Sequence, residues 1–534
     1  MAEHFIGIDV GTGSARAGLF DATGKLLASA KAEIRIWREP GDIVEQSSDD
    51  IWRAVCGSVR ETLAAAAIDP ISVAGIGFDA TCSLVVLGKG GAPVAVGPSG
   101  DPARNVIVWM DHRATDQARR INTTGANVLR YVGGTISPEM ETPKLLWLAE
   151  KLPQTFEAAW QFFDLTDFLT WRATNNLARS MCTVTCKWTY LAHEQRWDGD
   201  YFRAVGLGTI ADKGFARIGT EIVPGGTPLG LGLTREAAGE LGLNPGTAVA
   251  AGLIDAHAGG IGTVGARGGP GTVLTRMAYV FGTSACTMTT TERPAFVKGV
   301  WGPYFSAMIP GLWLIEGGQS AAGAAIDYLV LLHPAAQGAA TLAAADKIGL
   351  PAWLAREAET RGGSVAVERL VDCLHVVPEF LGNRAPFADP DARALVAGMG
   401  MDSGIESLIG LYIAGLCGLG YGARQIIAAQ QAEGIPTDTI VVSGGAGQSL
   451  LVRQILADAT GLTVAASTSP EPVLLGSAIL AATAAGRFGN IPEAMDAMSE
   501  LSEICVPDPA TVDWHLKRFV AFKALQKVGR EIRG

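Results

Sequence analysis

The stretch at residues 5–27, FIGIDVGTGSARAGLFDATGKLL, predicts two strands joined by a glycine-rich turn. The apolar run Phe5–Ile8 indicates a buried strand, and the alternating run Ala15–Phe20 indicates a second strand. A carboxylate, Asp9, stands between the first strand and the turn. The stretch therefore predicts a hairpin with an acidic group at its mouth.

The turn of this hairpin carries groups that suit an anion. Gly11 and Gly13 can adopt positive φ, so that backbone N–H groups converge on one point. Three side chains add donors, namely Thr12, Ser14 and Arg16. Because Asp9 would repel a phosphate, its presence favours a divalent cation between the two. The residues leave two interpretations open, a phosphate-binding hairpin and an ordinary hairpin turn.

Two other phosphate motifs do not fit this stretch. A dinucleotide fingerprint needs a third glycine and a following helix, whereas position 16 is Arg and a strand is predicted there. A P-loop needs Gly-Lys-Ser/Thr, which the turn lacks.

Composition and charge exclude several classes of function. The 534 residues suffice for two or three domains, and 48% of them are apolar. The net charge is −11, from 42 basic and 53 acidic residues, and no basic cluster is present. Nucleic acid and anionic membranes are therefore not expected as partners.

The cysteines and the N-terminus predict a cytoplasmic protein. None of the eight cysteines forms a CxxC pair, and Cys182 and Cys186 have no His nearby in the sequence, which disfavours a zinc site. Reduced thiols are the expected state. The N-terminus runs directly into a strand without the regions of a signal peptide. The most apolar later stretch, Leu408–Leu419, contains glycines and is too short to span a membrane.

Polar residues follow several predicted strands, where ligands gather in open α/β sheets. Asp79 follows the apolar run Val73–Phe78, and Asp111 follows the run Val106–Trp109. A later run, Ala248–Ile254, ends at Asp255. Residues 141–180 are predicted to be helical, and the Ala-rich segment 335–368 is predicted to be a helical insertion.

The second half of the sequence repeats the motif of the first. The run Met277–Phe281 leads into a turn and then into another strand, as at the N-terminus. The residues of this turn are Gly282, Thr283 and Ser284. This repeated pattern suggests two related halves with a nucleotide in the cleft between them.

Nine segments, in this order along nearly the whole chain, resemble the FGGY family of carbohydrate kinases: IGIDVGTGSARAGLFD, VEQSSDDIW, GIGFDATCS, VWMDHRA, GLIDAHAGG, FGTSA, EGGQSAAGAAID, PEFLGNRAPFADPDARA and SGGAGQS. The segments at residues 79–83 and 109–113 resemble pentulose kinases, and D-ribulokinases most. The resemblance implies an α/β fold of two ribonuclease-H-like domains of the actin, hexokinase and Hsp70 type, with a cleft between them. Residues 1–258 would form the sugar-binding domain, and residues 259–534 the nucleotide-binding domain with a helical tail.

The resemblance also implies roles for individual residues. Asp255 would be the catalytic base, and Asp9 and Asp255 would hold Mg²⁺. The residues expected to contact the sugar are Asp79, Thr81, Cys82, Trp109, Asp111, Lys187 and Glu316. The residues expected to bind ATP are Gly11, Thr12, Gly13, Ser14, Arg16, Gly282, Thr283, Ser284, Gln319, Gly444, Gly445 and Gln448.

The reaction implied by the resemblance is transfer of the γ-phosphate of MgATP to D-ribulose, giving D-ribulose 5-phosphate. L-Ribulose, ribitol and D-xylulose are alternative substrates. An alternative of another class is a non-catalytic, nucleotide-dependent sugar sensor or scaffold, because this fold alone does not fix function. A homodimer is the family expectation, and His257 beside Asp255 would either tune the base or pack.

Overall fold

Short strands and mixed sheets form the first half of this computed structural model, which describes residues 3–363 and 367–533. The strands of this half are β1 (His4–Val10), β2 (Ser14–Asp21), β3 (Leu26–Glu33), β4 (Trp37–Glu39), β5 (Ile43–Gln46), β6 (Val73–Ala80), β7 (Leu84–Gly88), β8 (Val106–Ile107), β9 (Ala159–Asp164), β10 (Arg179–Ser180), β11 (Ile222–Val223), β12 (Ala248–Val249) and β13 (Leu253–Ile254).

The N-terminal sheet has the strand order β12-β6-β1-β2-β3, and β13 also pairs with β6. Strands β1, β2 and β3 are antiparallel neighbours, whereas β6 runs parallel to β1. This register sets Asp9 directly opposite Asp79. A second sheet, of order β4-β5-β8-β7-β9, is antiparallel throughout.

The helices of the first half cover these sheets. They are α1 (Ser48–Ala66), α2 (Thr115–Thr123), α3 (Glu141–Lys151), α4 (Pro153–Ala158), α5 (Leu165–Thr174), α6 (Met181–Lys187), α7 (Gly199–Ala204), α8 (Gly208–Asp212), α9 (Arg235–Leu241) and α10 (Asp255–Ile261). The helical prediction for residues 141–180 is wrong in part, since β9 interrupts it. Aromatic residues, which strongly favour strands, surround that interruption in the sequence AWQFFD.

The C-terminal sheet repeats the pattern of the N-terminal sheet. Its order is β16-β17-β15-β14-β20-β21, with antiparallel pairs up to β14 and parallel pairs beyond it. The predicted repetition of strand, turn and strand is therefore present in both halves. The strands of this half are β14 (Arg276–Phe281), β15 (Ala285–Thr291), β16 (Trp301–Phe305), β17 (Trp313–Gln319), β18 (His375–Val377), β19 (Leu395–Ala397), β20 (Thr439–Ser443) and β21 (Thr463–Ala466).

The helices of the second half include the predicted insertion. They are α11 (Gly323–Leu331), α12 (Ala336–Ala345), α13 (Leu350–Thr360), α14 (Val367–Val371), α15 (Ile405–Ala432), α16 (Leu450–Thr460), α17 (Pro472–Ala484), α18 (Ile491–Met498) and α19 (Val512–Arg533). The predicted insertion at 335–368 is helical over α12, α13 and the start of α14, and its residues 364–366 lie outside the described residues.

Helix α15 is longer than the apolar run predicted, with 28 residues and a mean hydropathy of 1.3 over its most apolar window. By length and composition alone it could cross a membrane. However, 78% of that window is buried inside the protein. Such burial is typical of a core helix, which is hydrophobic on every side.

Helix α17 packs on the N-terminal sheet at an unusually short distance. A Cβ atom on Gly7 of β1 or Gly77 of β6 would collide with a backbone carbonyl of this helix. The same holds for Gly75 of β6, because the carbonyl oxygen of Ala481 would lie 2.6 Å from an ideal Cβ atom on this glycine. None of these three glycines has positive φ, so they allow close approach rather than an unusual backbone conformation.

The position of α17 bears on the proposed division of the chain at residue 258. The helix belongs to the second half of the sequence, yet it packs against β1, β6 and α10. Its side chains also join the largest apolar cluster, which contains residues from both halves. The two halves therefore share one apolar core, because α17 covers a face of the N-terminal sheet.

We expect Gly7→Ala to lower the free energy of unfolding by about 1–3 kcal/mol or more, because overpacking forces α17 away from β1. Gly239→Ala is the matched control, since Gly239 lies in α9 with open space around its Cβ position. That change should leave stability equal or raise it by up to about 1 kcal/mol. Urea unfolding measures both variants, and equal stabilities would contradict the close packing described here.

Candidate active site

Three carboxylates meet where the strands of the N-terminal sheet end. Asp9 closes β1, Asp79 lies near the end of β6, and Asp255 begins α10 directly after β13. Burial, together with the charge of Asp9, raises the pKa of Asp255 to about 6. The same two causes raise the pKa of Asp79 well above its usual range. Ser477 of α17 donates a hydrogen bond to Asp79 Oδ2 over 2.6 Å, whereas Asp79 Oδ1 has no partner among the described residues.

Arg16 neutralises part of this negative charge. Its Nε atom lies 3.0 Å from Asp9 Oδ2, and a second nitrogen also contacts that oxygen. Its Nη1 atom lies 2.8 Å from Glu471, the residue before α17. Arg16 therefore joins the first hairpin to the helix that covers the N-terminal sheet.

The hairpin between β1 and β2 is held in position by two donors. Trp109 Nε1 donates to Thr12 Oγ1 over 2.9 Å, and Gln46 Nε2 donates to the Thr12 carbonyl over 2.6 Å. The expectation of positive φ at Gly11 and Gly13 is wrong, since neither residue lies in the left-handed region. A Cβ atom on Gly13 would meet no heavy atom within 4 Å. The turn therefore leaves open space above its backbone.

A cavity of about 370 Å³ opens above the carboxylates and lies within the usual size range of small-molecule sites. Hairpin residues from both halves of the chain meet around it. Residues predicted as site residues that line it are Asp9, Gly11, Thr12, Arg16, Thr81, Cys82, Trp109, Lys187, Asp255, Gly282, Thr283, Ser284 and Glu316.

The far end of this cavity contains charged groups around an aromatic ring. Lys187 Nζ lies 5.6 Å from the centroid of the Trp301 ring, and the Arg384 guanidinium lies 5.4 Å from the same centroid. Although burial opposes it, hydrogen bonding by His257 and the charge of Lys187 lower the pKa of Glu316 to about 2. This end of the cavity therefore holds both charged donors and charged acceptors.

A second cavity, of about 690 Å³, adjoins the first at the turn between β14 and β15. Gly282 and Thr283 line both cavities, so this turn is the wall between them. Gly445 and Gln448, two of the residues expected to bind ATP, line the second cavity. Helix α13 of the predicted insertion supplies a further wall, through Pro351, Ala352, Ala355, Arg356 and Glu359.

Several predicted site residues line neither cavity. The Asp111 carboxylate is completely buried, accepts from the Val44 N–H over 2.7 Å and pairs with Arg113 at 2.7 Å. Its oxygens are thus engaged within the protein, which corrects the expectation of a free acceptor there. The other predicted site residues that line neither cavity are Asp79, Gly13, Ser14, Gln319 and Gly444.

Two of these residues, Gln319 and Gly444, have structural roles in the C-terminal half. Gln319 accepts a short hydrogen bond from the Tyr279 hydroxyl and donates to the Leu419 carbonyl over 3.0 Å. Gly444 has φ of 91°, and a Cβ atom there would collide with the Phe281 carbonyl. Gln319 therefore links β17 to β14 and α15, and Gly444 allows its segment to lie close to the end of β14.

Eight residues that line the first cavity were not predicted as site residues, and three of them are charged or aromatic, namely Glu139, Trp301 and Arg384. Arg384 belongs to the segment PEFLGNRAPFADPDARA, so its position within a quoted motif was an available signal. Glu139 and Trp301 lie in irregular or edge segments that no periodicity singles out. Although burial opposes it, a hydrogen bond from His112 lowers the pKa of Glu139.

The cysteine pair in α6 also has surroundings that the sequence did not indicate. Cys182 Sγ lies 3.0 Å from His257 Nδ1, although the two residues are 75 positions apart. The expectation that no histidine accompanies Cys182 and Cys186 is therefore wrong in three dimensions.

Comparisons with known proteins agree on the family. Residues 4–262 match the N-terminal domain, and residues 277–485 the C-terminal domain, of the FGGY family of carbohydrate kinases. An FGGY carbohydrate kinase domain-containing protein from Homo sapiens is 44% identical, over 99% of this chain and 97% of its own length. D-Ribulokinase from Saccharomyces cerevisiae is 36% identical, over 91% of this chain and 72% of its own.

A solved structure supports the fold. The xylulose kinase from Rhodospirillum rubrum superposes with a TM-score of 0.79 and 21% identity, covering 99% of each chain. Together with the family match, this similarity confirms the predicted two-domain fold of the actin and hexokinase type.

We expect Asp111→Ala to lower the free energy of unfolding by roughly 3–5 kcal/mol, because it leaves Arg113 buried without one of its carboxylate partners. Asp116→Ala is the matched control, since Asp116 pairs with Arg119 on the surface. The control should lose less than about 1 kcal/mol. Urea unfolding measures both variants, and similar losses would show that the buried pair does not support the fold.

Proposed function

Because the chain belongs to the FGGY family of carbohydrate kinases, we propose that it phosphorylates a pentulose, and D-ribulose in particular, with MgATP as the phosphate donor. The observation that carries the proposal is the half-buried Asp255, which lines a cavity that shares Gly282 and Thr283 with a larger cavity. Similarity to a D-ribulokinase supports the choice of sugar.

Asp255 suits the role of general base. Its pKa of about 6 makes it largely ionised at neutral pH, yet basic enough to take a proton from a hydroxyl group. In the proposed reaction a sugar oxygen attacks the γ-phosphorus, the bond from that phosphorus to the ADP oxygen breaks, and Asp255 receives the hydroxyl proton. The phosphorylated hydroxyl would be the terminal one, by analogy with the family.

The two hairpins would bind the phosphates of ATP. Arg16 and the turn at Gly11 and Thr12 would face the transferred phosphoryl group, and the turn at Gly282 would face the others. Adenosine would occupy the larger cavity, next to Gly445 and Gln448. Charge stabilisation of this kind is the main contribution that proteins make to phosphoryl transfer.

The carboxylates fit a hard divalent cation. Asp9 and Asp255 both line the cavity, and the neighbouring Asp79 has a buried oxygen without a partner among the described residues. Oxygen donors of this kind are what Mg²⁺ prefers. Asp9 and Asp255 would hold Mg²⁺, and the ion would neutralise negative charge on the phosphates when bound.

The other end of the cavity would bind the sugar. Lys187 and Glu316 offer a donor and an acceptor for hydroxyl groups, and Trp301 offers an apolar face for the carbon chain. Thr81 and Cys82 would contact the sugar from the N-terminal sheet, together with Trp109. Glu139 and Arg384 extend this set beyond the residues that the sequence predicted.

The test is ADP release by purified protein with MgATP and a panel of sugars: D-ribulose, L-ribulose, D-xylulose, ribitol and glycerol. We expect the highest kcat/KM with D-ribulose. A clear preference for another sugar of the panel would support the kinase activity but would replace D-ribulose as the proposed substrate. ATP binding without turnover on any sugar would instead support a nucleotide-dependent sensor.

We expect Asp255→Asn to lower kcat by about 10²–10⁴-fold, because the amide cannot accept the proton. Binding of ATP, measured by calorimetry, should persist, because Asp9 and the two hairpins still hold the nucleotide. Asp116→Asn, a surface change outside both cavities, is the control and should keep wild-type turnover. Retention of turnover by Asp255→Asn would exclude Asp255 as the base.

The pH dependence of kcat/KM should have an acid limb near pH 6, because Asp255 must be deprotonated to act and burial raises its pKa to that value. Activity is present above this pH and should fall about tenfold per pH unit below it. Affinity for MgATP, measured at each pH, separates this effect from loss of nucleotide binding. A flat profile down to pH 5 would contradict the assignment.

A further inference from the structure

A cluster of two thiols and one imidazole lies behind the wall of the first cavity. Cys182 and Cys186 are one helical turn apart on α6, and His257 lies on α10. Their ligand atoms all lie within 4.8 Å of one another, and all three residues are buried. This cluster takes no part in the proposed phosphoryl transfer.

The protein around the cluster orients its imidazole. Glu316 Oε2 lies 3.5 Å from His257 Nε2, on the side of the ring that faces away from Cys182. This contact holds the ring with Nε2 towards Glu316 and Nδ1 towards Cys182, so that Nδ1 is the atom that a cation beside the thiols would displace a proton from and bind. Imidazole ligands of metal ions are usually oriented by such a carboxylate.

The thiols are also suited to binding a cation. The backbone N–H of Ile254 donates to Cys182 Sγ over 3.4 Å. Thiolate is the form of cysteine that binds metals, and with imidazole it selects soft or borderline ions over Mg²⁺.

We propose that Cys182, Cys186 and His257 form a binding site for a divalent ion of the Zn²⁺ class. Three protein ligands of sulfur and nitrogen type leave one position of a tetrahedral ion for a small exogenous ligand. The site is separate from the oxygen donors proposed for Mg²⁺, and it does not depend on the identity of the sugar.

The location of the site gives it a mechanical role. The ion would join α6 and α10 of the first half and, through His257 and Glu316, strand β17 of the C-terminal sheet. Lys187 and Ile254, neighbours of the cluster, line the first cavity, so the cluster lies directly beside that cavity. A bound ion would therefore cross-link the floor of the site two residues from Asp255.

The test loads full-length protein with Co²⁺, both by growth in cobalt-supplemented medium and by titration of chelator-treated, reduced protein. We expect one equivalent of bound Co²⁺ with a sulfur-to-cobalt charge-transfer band, which oxygen ligands cannot produce. Zn²⁺ should displace the band and raise the thermal unfolding midpoint. Absence of the band in the folded wild-type protein would overturn the proposal.

Variants localise the signal. Cys182→Ser should abolish the band, Cys186→Ser should reduce it by about half or abolish it, and Glu316→Gln should weaken binding about 10–100-fold. Cys417→Ser is the matched control, because Cys417 is equally buried but lies in the core helix α15, and it should keep the full band. Circular dichroism checks that each variant is folded, and an unchanged band in folded Cys182→Ser would overturn the assignment.

Discussion

Helix α17 lies so close to strands β1 and β6 that glycines on these strands face its carbonyl oxygens directly. Larger residues at these positions would push the helix outward and move Ser477 away from Asp79. The same helix meets α10 through Gly476 and Gly262, each of which faces a carbonyl of the other helix. The positions of Asp79, of Arg16 through Glu471, and of Asp255 at the start of α10 all depend on this packing.

The charges of the site are consistent with that arrangement. Burying several carboxylates together is unfavourable, and the raised pKa values of Asp79 and Asp255 record that cost. Favourable interactions elsewhere in the fold must offset this free-energy cost. The large apolar cluster that includes α17 provides such a contribution, because it removes many hydrophobic side chains from water. The raised pKa of Asp255 therefore follows from its burial and from the charge of Asp9 beside it.

The sequence was informative wherever chemistry is local. The hairpins, the strand ends at Asp9 and Asp255, and the repeated strand pattern follow from short-range periodicity and glycine placement, and the structure contains them. It was less informative for contacts between distant segments. Neither the hydrogen bond from the Val44 N–H to Asp111 nor the contact of Cys182 with His257 leaves a local pattern. Glu139 and Trp301 were missed for the same reason, because tertiary packing alone brings them to the cavity.

The placement of α17 also has a consequence for synthesis of the chain. The N-terminal sheet is complete in sequence by residue 254, but the helix that covers one of its faces ends at residue 484. During translation that face of the sheet therefore stays without α17 until more than two hundred further residues have been synthesised. Chains of this size fold through intermediates with exposed apolar surface. Nascent chains of this protein therefore present a natural binding surface to chaperones until translation is almost finished.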